Sequence, residues 1–152
     1  MGVSVLGSMY RQFIFKPKPL PESVSLDGKT ALVTGANGGL GLEACKELCE
    51  HGLARLIIAV RDVTKGETAR KEIVAQNADV QVEVWNVDQE SFGSIKEFAD
   101  RVAELDRLDI AILNAGVKMT TLSKSSTGHE RNLQVRFSSK TRSQKLGSAP
   151  CT

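Results

Sequence analysis

The sequence predicts an α/β fold, a partial doubly wound parallel sheet with strand order 3-2-1-4. Three observations carry this reading. Apolar runs alternate along the chain with stretches of helical spacing, beginning at Ala31-Leu32-Val33. The second run, Leu56-Ile57-Ile58-Ala59-Val60, is continuously apolar, as a strand buried on both faces should be, whereas Val80-Gln81-Val82-Glu83-Val84 alternates like a half-exposed edge strand. A glycine-rich turn, Thr34-Gly35-Ala36-Asn37-Gly38-Gly39-Leu40-Gly41, joins the first run to the first helical stretch.

Residues 1–26 mix Tyr10, Phe13, Ile14 and Phe15 with the proline-bearing stretch Lys16 to Pro21, which neither continues a helix nor enters a sheet interior. They are read as a short helix and an extended arm lying on the domain, with membrane association through Phe13 to Phe15 as the alternative. Asp27-Gly28-Lys29 turns into the first strand. In the glycine loop, Gly35 lets the chain leave the strand sharply. Gly39 clears space for backbone to approach a pyrophosphate, and Gly41 lets the helix pack close to the sheet. The phosphate would then rest on the helix N-terminus, where unpaired N–H groups and the helix dipole favour an anion. Gly35, Asn37, Gly39, Leu40 and Gly41 are therefore candidate cofactor-binding residues of a Rossmann-like domain.

Gly41, Ala44, Cys45, Leu48 and Cys49 recur on one helix face, so both cysteines read as small buried hydrophobes. His51-Gly52 ends that helix, with glycine suited to the left-handed cap. Arg61 follows the second strand at once. In a dinucleotide fold this point lies beside the adenosine ribose, where an acidic residue would serve NAD and an arginine would pair with a 2′-phosphate. The expected cofactor is NADP; the alternative is a surface arginine with Asp62 as its partner. Thr64-Lys65-Gly66-Glu67 has the spacing of a capping box and predicts a second helix through about Gln76. After the edge strand, Trp85 reads as packing and Asn86-Val87-Asp88 closes the strand, with Asp88 a candidate either for the cofactor or for capping the next helix. A third helix is expected from about Ser91 to Asp106, and a fourth strand over Leu108 to Leu113. Thr127-Gly128-His129-Glu130 has another capping-box spacing that would open a fourth helix.

The T-G-x-x-x-G-x-G spacing of the loop and the later Leu113-Asn114-Ala115-Gly116 resemble two motifs of the short-chain dehydrogenase/reductase family. Thr127-Gly128-His129-Glu130 followed by Leu133-Gln134-Val135 resembles its fungal members. The resemblance covers roughly residues 27–135 and agrees with the 3-2-1-4 order. It implies that Asp88 contacts the adenine ring, that Asn114 steadies the central strand beside the cofactor, and that small residues such as Gly116 leave room for the nucleotide. It also implies a proton-donating tyrosine with a lysine four residues on, and a serine and an asparagine nearby, because a developing alkoxide must receive a proton. The only tyrosine is Tyr10, outside any Y-x-x-x-K, and Arg136 stands where the asparagine is expected. No catalytic residue is carried over.

From Arg136 the sequence turns polar and unpatterned, with Arg136, Lys140, Arg142 and Lys145 and no acid, and reads as a basic disordered tail over 136–152. The expectation is a fold truncated before its catalytic half, through a frameshift, an unspliced intron or a gene-model error. The fourth strand would then be a sheet edge open to self-association. The domain plan is an arm over 1–26, an NADP-binding domain over 27–135 and the tail.

At 152 residues the chain has the length of one domain, its net charge of +2 argues for no particular partner, and the basic tail reads as a solvated, disordered end rather than the alternative, a nucleic-acid patch. Three cysteines do not make a disulfide framework, which points to a reducing, cytoplasmic compartment. No apolar run is long enough to span a membrane, the N-terminal apolar segment is too short for a signal peptide, and Leu6 stands where a myristoylation motif wants Ser or Thr. A P-loop is excluded because Leu42-Glu43 follows Gly41 where lysine and Ser/Thr are required. A methyltransferase would want an acid where Arg61 stands. Two functional readings remain. One is an NADP-dependent oxidoreductase acting on a small-molecule alcohol or carbonyl, inactive as this truncated chain, which by resemblance to fungal relatives would serve secondary metabolism. The other is a non-catalytic nucleotide-binding module or remnant. No metal site is expected.

Overall fold

The computed structural model describes residues 21, 23–116, 124, 128 and 135. Most of the N-terminal arm, the helix expected from Thr127 and the basic tail lie outside the described residues. Within them the chain runs β1 (Thr30–Thr34), α1 (Gly39–Glu50), β2 (Arg55–Val60), α2 (Val63–Gln76), β3 (Gln81–Asn86), α3 (Phe92–Ala103) and β4 (Ile110–Ile112). The strands form one parallel sheet in the order β3-β2-β1-β4, as the sequence pattern predicts.

Register follows from the apolar runs. Val33 lies opposite Ile58 on β2 and Ile112 on β4, and Ile58 lies opposite Val84 on β3. Side chains alternate across the sheet, so two cores form. Ala31, Val33, Leu56 and Ile58 face Cys45, Leu48 and Cys49 of α1 and Ala69 and Ile73 of α2. Leu32, Ile57, Ala59 and Trp85 face Phe98 of α3 on the other side. Helices on both faces make the fold doubly wound. Leu26, at the end of the expected arm, is buried in the first core with Val24 packed against it, so the packed unit begins ahead of the Asp27 turn.

Each strand sits in the layer its pattern predicts. All five residues of β1 are buried, whereas β3 is largely half-exposed, with Trp85 as its one fully buried residue. Trp85 packs edge-on against Phe98 with ring centroids 6.0 Å apart, and its Nε1 donates to Glu83 Oε2 at 3.0 Å. The Arg101 guanidinium lies over the indole at 3.8 Å, and Arg55 pairs with the same Glu83 at 2.7 Å. Burial would raise the Glu83 pKa, but the hydrogen bonds from Trp85 and Arg55 outweigh it and hold the carboxyl below its usual range. At the other side of the sheet, Asp109 Oδ2 accepts from the Thr30 amide at 2.9 Å and carries the β1–β4 pairing one step past the ladder.

Helix boundaries differ from expectation in two places. α2 begins at Val63 and is capped by Asp62, whose side chain accepts from the Lys65 amide at 3.2 Å. Asp62 has the extended backbone that a cap requires, while Thr64 is already inside the helix, so the expected Thr64–Glu67 capping box does not form. Gly66 has a different role: a Cβ there would lie 2.6 Å from Val84 Cγ1 and 2.7 Å from Val60 Cγ2, so its missing side chain sets how closely α2 approaches the sheet. α3 is capped by Ser91 and ends at Ala103, short of Asp106. β4 is only three residues long, inside the expected Leu108 to Leu113.

Candidate functional site

The sheet order reverses between β1 and β4, and in open α/β sheets ligands bind in the crevice beyond the strand C-termini at such a point. A pocket of about 530 Å³ opens there, within the roughly 300–1,000 Å³ typical of ligand sites. Its walls come from the turn after β1, the end of β2, the turn after β3 and the residues after β4. Among the candidate residues, Gly35, Asn37, Leu40, Arg61, Asp88, Asn114 and Gly116 line it. Gly39 and Gly41 do not.

The glycine loop is shaped by contacts that exclude a side chain. Gly35 turns with φ +69°, and a Cβ there would lie 2.8 Å from the Ala115 Cα. Gly41 is buried, and a Cβ would meet both the Gly35 carbonyl and Asn114 Nδ2 at 2.5 Å. Gly41 therefore packs against the loop and the residues after β4 and shapes the site from behind. Gly39 has φ +57°, and a Cβ there would meet nothing within 4 Å, so its open side faces free space. The α1 N-cap is Gly38, which offers no side-chain hydrogen bond to the first-turn amides. Those amides are thus left for a ligand or water. Leu40 is 83% exposed on the first turn, the most exposed large apolar residue among those described.

The loop and the end of β4 are bound to each other. Asn114 Nδ2 donates to the Gly35 carbonyl at 3.3 Å, and the Ala115 amide donates to Thr34 Oγ1 at 3.1 Å. The two sequence motifs, about eighty residues apart, form one wall.

Arg61 sits at the β2 end of the pocket, 61% exposed, with Nη1 3.1 Å from Glu90 Oε1. Asp62, its partner in the alternative reading of the sequence, instead caps α2. Asn86 Nδ2 donates to the Arg61 carbonyl at 2.9 Å and fixes the backbone there. Asp88 does not cap α3, because Ser91 does. Asp88 Oδ1 instead accepts from the Glu90 amide at 2.9 Å, closing a local turn on the pocket rim. Sequence reasoning missed Lys65 and Glu90, both pocket-lining. Lys65, on the first turn of α2, was legible as a second cation close behind Arg61 in the sequence; Glu90 was not, because its partner is 29 residues away. Val135 is buried and also lines the pocket.

Cys45 and Cys49 are free thiols on the buried face of α1. Burial, and then the neighbouring Cys49, push the Cys45 thiol up to about 12; burial, and then Glu50, push Cys49 up to about 11. Both are therefore protonated and unreactive near neutrality. No helix among the described residues is long and apolar enough to cross a membrane.

Comparison with known proteins agrees with the fold and the motifs. A family profile described as short chain dehydrogenase matches residues 29–140, reaching past Val135, where the sequence motifs lead one to expect the resemblance to stop. The short chain dehydrogenase sol3 of Alternaria solani is 60% identical over 131 residues, which is 86% of this chain and 46% of that protein. The short chain dehydrogenase virL of Hypocrea virens is 43% identical over 135 residues, 88% of this chain and 39% of that protein. This chain thus spans less than half the length of these curated relatives. Among solved structures, a metagenomic short-chain oxidoreductase in complex with NADP superposes with a TM-score of 0.68 at 29% identity, covering 80% of this chain and 55% of that one. On the profile match and these identities, the chain belongs to the short-chain dehydrogenase family.

Proposed function

We propose that these residues form the nucleotide-binding half of a short-chain oxidoreductase that uses NADP(H) on a small-molecule alcohol or carbonyl. The observation that carries the cofactor choice is Arg61 at the pocket end of β2, where an acid would instead hold the ribose of NAD. The site fits a dinucleotide: Gly39 leaves its side of the loop open, the α1 amides have no side-chain cap, and the pocket continues to Arg61 and Asp88. In this reading Asn37, Gly39 and Leu40 border the pyrophosphate, while Gly35 and Gly41 hold the shape of the loop. Arg61 pairs with the 2′-phosphate, Asp88 borders the adenine, and Asn114 and Gly116 border the nicotinamide side. When bound, the nicotinamide supplies or accepts a hydride. The NADP in the metagenomic relative supports the choice.

The same proposal assigns the binding domain residues 27–135; among the described residues its core reaches back to Val24. A cytoplasmic location belongs to the same proposal, supported by the two free thiols. The sequence favours one second reading. It holds a single tyrosine, Tyr10, outside any Y-x-x-x-K, so these 152 residues by themselves bind the nucleotide without turning it over. Calorimetric titration with NADPH, followed by a turnover assay on a panel of carbonyl substrates, tests both. Binding with turnover supports the oxidoreductase reading for this chain, binding alone supports the second, and no binding overturns both.

A further inference from the structure

Both cations at the adenosine end of the pocket are held by carboxylates. Lys65 Nζ lies 3.9 Å from Asp62 Oδ2, and Arg61 Nη1 lies 3.1 Å from Glu90 Oε1. The two pairs differ in exposure: Asp62 is half exposed, but the Glu90 side chain is only 15% exposed, against 61% for Arg61. Glu90 is also fixed through its backbone, since its amide donates to Asp88 Oδ1. The carboxylate is therefore the more buried member of the pair, with its backbone held, and the guanidinium the more exposed one.

We propose that Glu90 is a specificity-determining residue that competes with the 2′-phosphate of NADP(H) for Arg61. This rests on the nicotinamide-nucleotide reading above. A 2′-phosphate must either draw the guanidinium away from Glu90 or share it, and sharing brings two oxyanions onto one cation. The neutral 2′-hydroxyl of NAD(H) makes no such demand on Arg61. The carboxylate thus lowers affinity for the phosphorylated cofactor alone and narrows the preference that Arg61 creates. Because Asn86 holds the Arg61 carbonyl, the competition is confined to the side chain.

The test is calorimetric titration of 2′,5′-ADP and 5′-AMP into the wild type, Glu90→Gln, Arg61→Ala and the double variant. Glu90→Gln is expected to tighten 2′,5′-ADP binding roughly two- to fivefold, the scale of a partly exposed ion pair. Affinity for 5′-AMP, which reports whether the pocket is intact, stays unchanged. In the Arg61→Ala background the gain disappears, as a coupled pair requires. Unchanged or weaker 2′,5′-ADP binding in Glu90→Gln overturns the proposal. So does a gain shared by 5′-AMP, or one that survives removal of Arg61. If the wild type binds neither NADPH nor 2′,5′-ADP, the nucleotide reading itself falls and this inference falls with it.

Discussion

Asn114 donates a hydrogen bond from Nδ2 to the carbonyl of Gly35 at 3.3 Å, joining residues 79 apart. The bond ties the end of β4 to the glycine loop, beside the bond from the Ala115 amide to Thr34 Oγ1, so the two halves of the pocket wall are joined through both contacts. Asn114→Ala removes it and leaves the Gly35 carbonyl without this donor. The expected loss is about 1 kcal/mol of stability by urea denaturation, together with weaker NADPH binding. Full stability and full affinity in the variant would mean that the bond has no structural role.

The loop glycines separate into shape and contact. Gly35→Ala forces a Cβ against the Ala115 backbone at a positive φ and should cost more than about 2 kcal/mol. Gly39→Ala meets no atom within 4 Å, so only its φ of +57° opposes it, at about 1 kcal/mol. The second variant should stay folded by circular dichroism and, under the proposed function, lose NADPH affinity, because the new methyl would stand on the open side of the loop proposed to border the pyrophosphate. Equal effects of the two substitutions on stability would remove this distinction.

Gly66→Ala tests how α2 is seated. In an isolated helix alanine is favoured over glycine by about 1 kcal/mol. Here the added methyl meets Val60 and Val84, and overpacking of this kind costs about 1–3 kcal/mol. The expected outcome is a net loss of stability in thermal or urea unfolding. A stabilised variant would show that α2 can shift away from the sheet freely.

The buried thiols set an alkaline limit. In the unfolded chain both ionise near 9, but in the fold Cys49 is raised to about 11 and Cys45 to about 12. Above pH 9 the unfolded chain loses these protons first. The thiols' contribution is therefore fully present below pH 9 and is lost between about 9 and 12. Cys45→Ala/Cys49→Ala should flatten that part of the stability curve, and the native thiols should resist alkylation at pH 8. Rapid alkylation without unfolding would contradict their burial.

What the sequence made legible was whatever depends on local pattern. Continuous apolar runs marked β1 and β2 as interior strands, the alternation from Val80 to Val84 placed β3 outermost, and the glycine spacing located the loop before α1. What stayed hidden depends on contacts across elements. Thr64 and Asp62 are both of a capping residue type, and only the backbone geometry after β2 selects Asp62. Gly66 reads only as a position within the expected capping box until Val60 and Val84 are seen against it. Glu90 shows its relation to Arg61 only when the turn after β3 is brought beside the end of β2, and the Asn114–Gly35 bond appears only when the end of β4 is brought beside the glycine loop.

The most direct test of the cofactor claim compares NADPH and NADH affinities of the wild type and Arg61→Asp by calorimetry. The expected result is tighter NADPH binding in the wild type and a loss of about ten- to hundredfold in the variant, the worth of a charge-assisted Arg–phosphate bond, with NADH affinity maintained or improved. An unchanged NADPH preference in Arg61→Asp would contradict it.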